Sequence, residues 1–216
     1  MKKIAALILA ACVATTAKSD LIISQYIETN SGTTPKGIEL WNTGGVIDFS
    51  AVGFDLNILV GVNGGALASV FTLNTGTLGL NEVMVIGTAD MGTYLNSTFG
   101  VGVVQFHLEP FTFNGDDALQ VRLGGVATDN IGTPGVDPGT EWANNGVSTA
   151  NQNIGLRSGI FTGDTDGWTD PSVRFENVGT GTDLTGFGVA VPEPTTMSLL
   201  GLSAMALAIF RRKLLS

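Results

Sequence analysis

The chain has 216 residues, 30 of them glycine, with 10 basic against 19 acidic side chains and a formal charge of −9. Residues 18–190 alone carry five bases and 18 acids, a formal charge of −13, and so acidic a body repels phosphate backbones, which argues against nucleic-acid binding. Cys12 is the sole cysteine and His107 the sole histidine, which rules out a disulfide framework, a body thiol nucleophile and a multi-histidine metal centre.

Met1-Lys2-Lys3, an apolar run over residues 4–13 and the small residues Ala14-Thr15-Thr16-Ala17 have the three parts of a secretory signal peptide. Residues 1–19 are assigned to it, with cleavage expected at 17–19, and Cys12 leaves with the peptide. Residues 20–190 suffice for one domain with a substantial core. Glycine, Thr, Asn and Asp recur beside short apolar stretches, which signals many turns. Strand-like runs fall at 21–28, 37–41, 53–59, 69–73, 82–87, 102–108, 118–123, 126–131 and 173–177, and no helical pattern of three turns is visible among them. This spacing predicts an all-β chain, an antiparallel sandwich or barrel.

Alternation places Ile38, Leu40, Phe54, Leu56, Val83, Val85, Leu119 and Val121 in the core, and Glu28, Glu39, Glu82 and Gln120 on solvent faces. His107 reads as an outward strand residue. Asn114-Gly115 is the expected type I′ hairpin connection, since both residues tolerate positive φ. Asp116 and Asp117 are adjacent, so in a strand they point to opposite faces and cannot act as a paired acid and base. Residues 132–170 read as a polar excursion over one end of the fold, pinned to the core by Trp142 and Trp168. Within it Asp164, Asp166 and Asp170 lie around Gly167 as in an oxygen-ligand calcium loop, although position 175 is Phe where a standard loop has Glu. The alternative is a turn whose Asp side chains bond their own backbone. Calcium would be the one candidate cofactor, with a stabilising role.

The tail, residues 191–216, joins Val191-Pro192-Glu193-Pro194 to an apolar run over 197–210 and then Arg211, Arg212 and Lys213. Even from Thr195, a helix to Phe210 covers about 24 Å, short of a hydrocarbon core of about 30 Å. The terminal cations favour the cytoplasmic side, leaving the body outside. The two prolines interrupt any helix and leave an extended, accessible stretch. Pro192, Glu193 and Pro194, the apolar helix and the basic terminus together resemble the PEP-CTERM sorting signal of Gram-negative bacteria. That resemblance implies an exported protein anchored transiently in the inner membrane, with an exosortase-type enzyme as partner, cut near Pro-Glu-Pro and delivered to the cell surface or the extracellular matrix.

A second resemblance lies in the body. Ile23-Ser24-Gln25-Tyr26-Ile27-Glu28, Gly37-Ile38-Glu39-Leu40-Trp41-Asn42 and Val46-Ile47-Asp48-Phe49-Ser50 look like the opening of a lamin-tail-type domain. The pieces around Phe113–Ala118, 131–142 and 163–167 resemble its bacterial extracellular branch. The family fold would be an immunoglobulin-like β-sandwich. With Gln25 where an acid is usual and no attached catalytic domain, the reading is a non-catalytic adhesion or interaction module whose partners are exopolysaccharide or other surface proteins. Alternatives are a metal-assisted hydrolase built on the Asp-rich loops, and a sugar-binding module presenting Trp41, Trp142 or Trp168 on one flat face.

Overall fold

The computed structural model describes residues 21–30 and 33–190, so the signal-peptide assignment at 1–19 and the sorting tail at 191–216 lie outside the described residues. The first half carries β1 (Leu21–Ile27), β2 (Gly37–Asn42), β3 (Ile47–Asp48), β4 (Leu56–Gly61), β5 (Ala68–Leu73), β6 (Thr77–Leu78), β7 (Val83–Gly87), helix α1 (Ala89–Phe99) and β8 (Gln105–Leu108). Then follow β9 (Ala118–Leu123), β10 (Val126–Ile131), β11 (Ala143–Asn144), β12 (Val147–Ser148), β13 (Gln152–Leu156) and β14 (Phe175–Thr180). Each of the nine expected strands is found, some with displaced ends: Gly53 has φ +82° and opens a turn, so its strand starts at Leu56.

The described chain is mostly β-strand with little helix. A six-stranded sheet has the order β14-β13-β1-β2-β7-β8 and a four-stranded sheet the order β10-β9-β4-β5. Two small pairs, β11-β12 and β3-β6, complete the pattern. Pairing is antiparallel except between β7 and β8, which run parallel. A parallel neighbour needs a crossover, and α1 supplies it. This corrects the expectation of no helix. The helix was concealed by Gly92, Thr93, Asn96, Ser97 and Thr98, poor helix formers. Yet Met91, Leu95 and Phe99 recur every four residues on the face that packs down.

One apolar cluster fills the space between the two larger sheets and includes Ile38, Leu40, Leu56, Met84, Ile86, Leu119 and Val121. The register Ile38↔Ile86, Glu39↔Val85 and Leu40↔Met84 puts Val85 and Glu39 on the opposite face of the six-stranded sheet. Val85 is therefore buried in a second cluster with Ile27, Met91, Leu95 and Phe187, and not beside Ile38. Val83 is partly buried, and Phe54 is 39% exposed in the turn before β4, a correction to its core assignment. Glu82 is exposed as expected, whereas Glu28, Glu39 and Gln120 are buried. The alternation rule assumes one wet face, and here both faces of the central strands are covered.

The expected Asn114-Gly115 hairpin is not formed, because neither residue takes a positive φ. Instead the Asp117 carboxylate accepts the Asn114 N–H at 2.8 Å and the Asp117 N–H bonds the Asn114 carbonyl at 3.1 Å, closing a turn before β9. The two-residue glycine turn is Gly124-Gly125, with φ +58° and +79°, between β9 and β10.

The polar excursion at 132–170 contains β13, an interior strand between β1 and β14, which corrects the expectation that this segment only covers one end. Trp142 and Trp168 do anchor it: both are buried, meet edge to face at 6.3 Å, and Trp168 Nε1 donates to the Asn130 carbonyl at 3.1 Å. Asp129, fully buried, ties this segment to both sheets. It accepts the N–H groups of Ile23, Asn130 and Asp164 and pairs with Arg174 at 3.3 Å. Burial pushes its pKa up to about 6 against the opposing pull of Arg174 and those amides. Glu28 and Lys36 form a second buried ion pair at the far end of β1, where Lys36 Nζ also donates to the Phe113 carbonyl at 2.8 Å.

Candidate functional site

The outer face of the six-stranded sheet carries a group of buried polar side chains. Apolar side chains on this face, Ile27 of β1 and Val85 of β7, lie beneath α1. Beside them β1, β2 and β13 present Ser24, Gln25, Glu39 and Asn153, all buried. Polar groups survive burial when partnered, and the partner is the chain itself, residues 181–190.

That segment is laid down stepwise after β14. Its Gly181 N–H bonds the Asn151 carbonyl at 2.8 Å. Asn153 Nδ2 donates to the carbonyls of Asp183 and Thr185 at 2.7 and 2.9 Å, and Gln25 Nε2 reaches the same Thr185 carbonyl at 2.7 Å. Phe187 then plugs the second apolar cluster with no exposure. Gly186 and Gly188 flank it with φ of +95° and +90°, a left-handed conformation that suits glycine. A Cβ on Gly188 would stand 2.6 Å from the Phe99 ring, and one on Gly186 would stand 2.8 Å from Gln25 Oε1. The sequence Gly186-Phe187-Gly188 is thus dictated by a buried plug between two tight approaches.

The last clasp is Glu39. Its Oε1 lies 2.7 Å from the Ser24 hydroxyl and its Oε2 accepts the Gly188 N–H at 2.6 Å. At 1% exposure, burial drives its pKa up to about 8, against the lowering effect of Ser24 and the Gly188 and Val189 amides. The Ser24 hydroxyl donates to Glu39 Oε1 and also lies 3.3 Å from the Glu39 carbonyl. With both oxygens engaged by the chain, Glu39 acts as a clasp for the segment. A cavity of about 250 Å³ lined by Ser24, Glu39, Leu156 and Val189 lies on one side of the segment. Another of about 540 Å³, lined by Leu78, Glu82, Phe99 and Val103, lies on the other, and Ala190 borders both.

The residues singled out from the sequence fall elsewhere. Pro192, Glu193, Pro194, Arg211, Arg212 and Lys213 lie outside the described residues. Asp164 caps its own turn, accepting the N–H groups of Asp166 and Gly167 at 3.1 and 2.9 Å. Asp170 caps the short 3-10 turn Pro171–Val173 through Ser172 and accepts Asn144 Nδ2 at 2.6 Å. Its Ser172 bonds hold its pKa below the usual carboxylate value. Among the described residues no group of three or more acidic, His or Cys side chains is placed to hold a metal ion. His107 is half-buried on the edge strand β8 against Phe71, and burial lowers its pKa. Trp41, Trp142 and Trp168 are all buried, so they form no exposed aromatic face. Asp117 is buried and Asp116 partly so, in a turn and not a strand. What sequence reading missed is the clasp, although Ser24 and Gln25 in the middle of an otherwise apolar β1 were a signal that polar partners cover that strand.

With the geometry in place, the chain can be set beside known proteins. A family model described as the PEP-CTERM protein-sorting motif matches residues 190–213. No curated protein and no solved structure matches the chain. The match begins at Ala190, two residues after the clasped Gly188. The motif marks an exported protein, dependent on an exosortase and anchored transiently in the membrane before processing. Among the described residues no helix is long and apolar enough to cross a membrane.

Proposed function

We propose that this chain is an exported, non-catalytic protein of the cell surface or exopolysaccharide matrix, whose β-body serves adhesion or interaction. The observation that carries the reading is the abutment of the sorting motif at 190–213 on a segment clasped to the body as far as Gly188. The body is then delivered as a closed unit when the tail is cut. We read its two larger sheets as an immunoglobulin-like sandwich of the lamin-tail type. Support comes from the Asp48-Phe49-Ser50 turn, where the Ser50 N–H and hydroxyl both bond Asp48 Oδ1, at 2.9 and 2.6 Å, and Phe49 is buried. The parallel β7–β8 pair departs from a wholly antiparallel sandwich. The non-enzymatic reading is supported by the engagement of Glu39, Asp164 and Asp170 with the chain's own donors.

The test is retention. In an exosortase-bearing host, the wild-type chain leaves the membrane fraction, whereas replacing Pro192, Glu193 and Pro194 by Ala leaves it bound. Equal release of both forms overturns the sorting reading.

A further inference from the structure

Leu21 and Ala190, the first and last of the described residues, lie at one end of the body. Leu21, which opens β1, pairs with Asn42, the last residue of β2, and the Asn42 N–H bonds the Glu82 carbonyl at 3.0 Å just before β7. Ala190, two residues beyond the clasped Gly188, borders the cavity lined by Glu82 and Val103 at this same end. The turns gathered here carry large apolar side chains in water: Val46, Leu80, Val101 and Val103 are 69, 57, 87 and 68% exposed. They are neighbours through the fold. Asn42 Nδ2 bridges the carbonyls of Gly45 and Leu78 at 2.9 and 3.0 Å, and Val103 lines one cavity with Leu78 and with Asn81, the residue after Leu80.

Resting on the sorting reading above, we propose that this ring of turns is the membrane-contacting surface of the anchored precursor, and that its partner is the headgroup–acyl boundary of the bilayer. The length of chain beyond Ala190 selects that occupant. Residues 191–196 are six residues, and fully extended they reach about 20 Å at most before the apolar run begins. The end of the body bearing Ala190 is therefore held close to the bilayer, and the exposed valines and Leu80 are at that end. Apolar side chains at the boundary leave water, and two weak attachments together hold better than one short anchor. The acids beside these turns are held on them, Glu82 by accepting the Gly79 N–H at 2.7 Å and Asp48 by accepting the Ser50 N–H at 2.9 Å. Valine is small, so the contact is a shallow one that lets go once the tail is cut.

The test uses the full chain with Cys12→Ser, so that an introduced cysteine is the sole thiol. A polarity-sensitive dye is placed at Val101→Cys, or at Val62→Cys as control. Val62 is 57% exposed, and its neighbour Asn63 bonds Asp117 at the opposite end, near Lys36 and Phe113. Flotation with phosphatidylethanolamine–phosphatidylglycerol vesicles reports anchoring, and iodide quenching reports contact. The expected result is flotation of both, with several-fold protection and a blue shift at position 101 but not at 62, lost when Val103→Asp and Leu80→Asp are added. Flotation with equal quenching at both positions overturns the proposal and leaves the anchor intact. Protection at 101 that depends on protein concentration without vesicles overturns it in favour of a second copy. Failure to float overturns the anchor reading, and this proposal with it.

Discussion

Glu39 and Gly188, 149 positions apart, are joined by a 2.6 Å hydrogen bond from the Gly188 N–H to the Glu39 carboxylate. It holds the segment that precedes the sorting motif on an acid whose charged form is disfavoured by burial.

That burial makes stability depend on pH. The Glu39 pKa is raised from 4.5 to about 8, so the native state holds a proton that the unfolded state has lost between those values. Its contribution is fully present below 4.5 and is lost as pH rises through about 8. The ceiling is about 5 kcal/mol at 1.36 kcal/mol per pH unit. Urea titrations across this window should show falling stability with rising pH. Glu39→Gln, which keeps the side chain neutral, should flatten the upper part of the profile. Asp129 acts in the same direction between 3.8 and about 6, so a residual slope should persist there. An unchanged profile in Glu39→Gln contradicts the clasp.

Phe187→Ala should undock residues 181–190. Removing a fully buried phenylalanine costs about 3–5 kcal/mol, but the loss falls on the segment before the sheets. Amide hydrogen exchange should therefore accelerate at Gly188 and Val189 while β4 and β9 remain protected. Uniform acceleration would mean that the segment is not a separate unit.

How much of this was legible in the sequence varies with what covers each strand. The strands at 118–123 and 126–131 were found with their ends intact, because glycines at 124 and 125 punctuate them. Glu39, Gln25 and Asn153 could not be placed from alternation, since their strands are buried on both faces and the cover comes from residues 183–188, which are 149 and 160 positions from Glu39 and Gln25 and about 30 from Asn153. β13 was missed because Gln152-Asn153-Ile154-Gly155-Leu156 offers two apolar residues, and its other face is paired with backbone carbonyls and not with a core. Asn114-Gly115 had the composition of a hairpin turn, but the carboxylate of Asp117 captured the Asn114 N–H and set a different turn.

Asp129→Ala should be among the most damaging single changes. It leaves Arg174 without its buried partner and strips an acceptor from Ile23, Asn130 and Asp164, at a cost of about 3–5 kcal/mol. Thermal melting should show a loss of that order. A loss below about 1 kcal/mol would mean that the hub is dispensable.

Asp164 and Asp170 as turn caps lead to a simple expectation. Asp164→Ala should cost about 1 kcal/mol, as lost caps do. Millimolar calcium and chelator should then give the same melting temperature for the wild-type chain. A calcium-dependent rise abolished by Asp164→Asn with Asp166→Asn would instead establish a metal loop.

The most direct test of the central claim, a clasped body followed by a removable tail, is the intact mass of the protein released from cells. The mass is expected to place the new C-terminus between residues 191 and 196, with the clasped residues 181–190 retained. A released form ending before Gly188, or one still carrying residues 197–216, would contradict it.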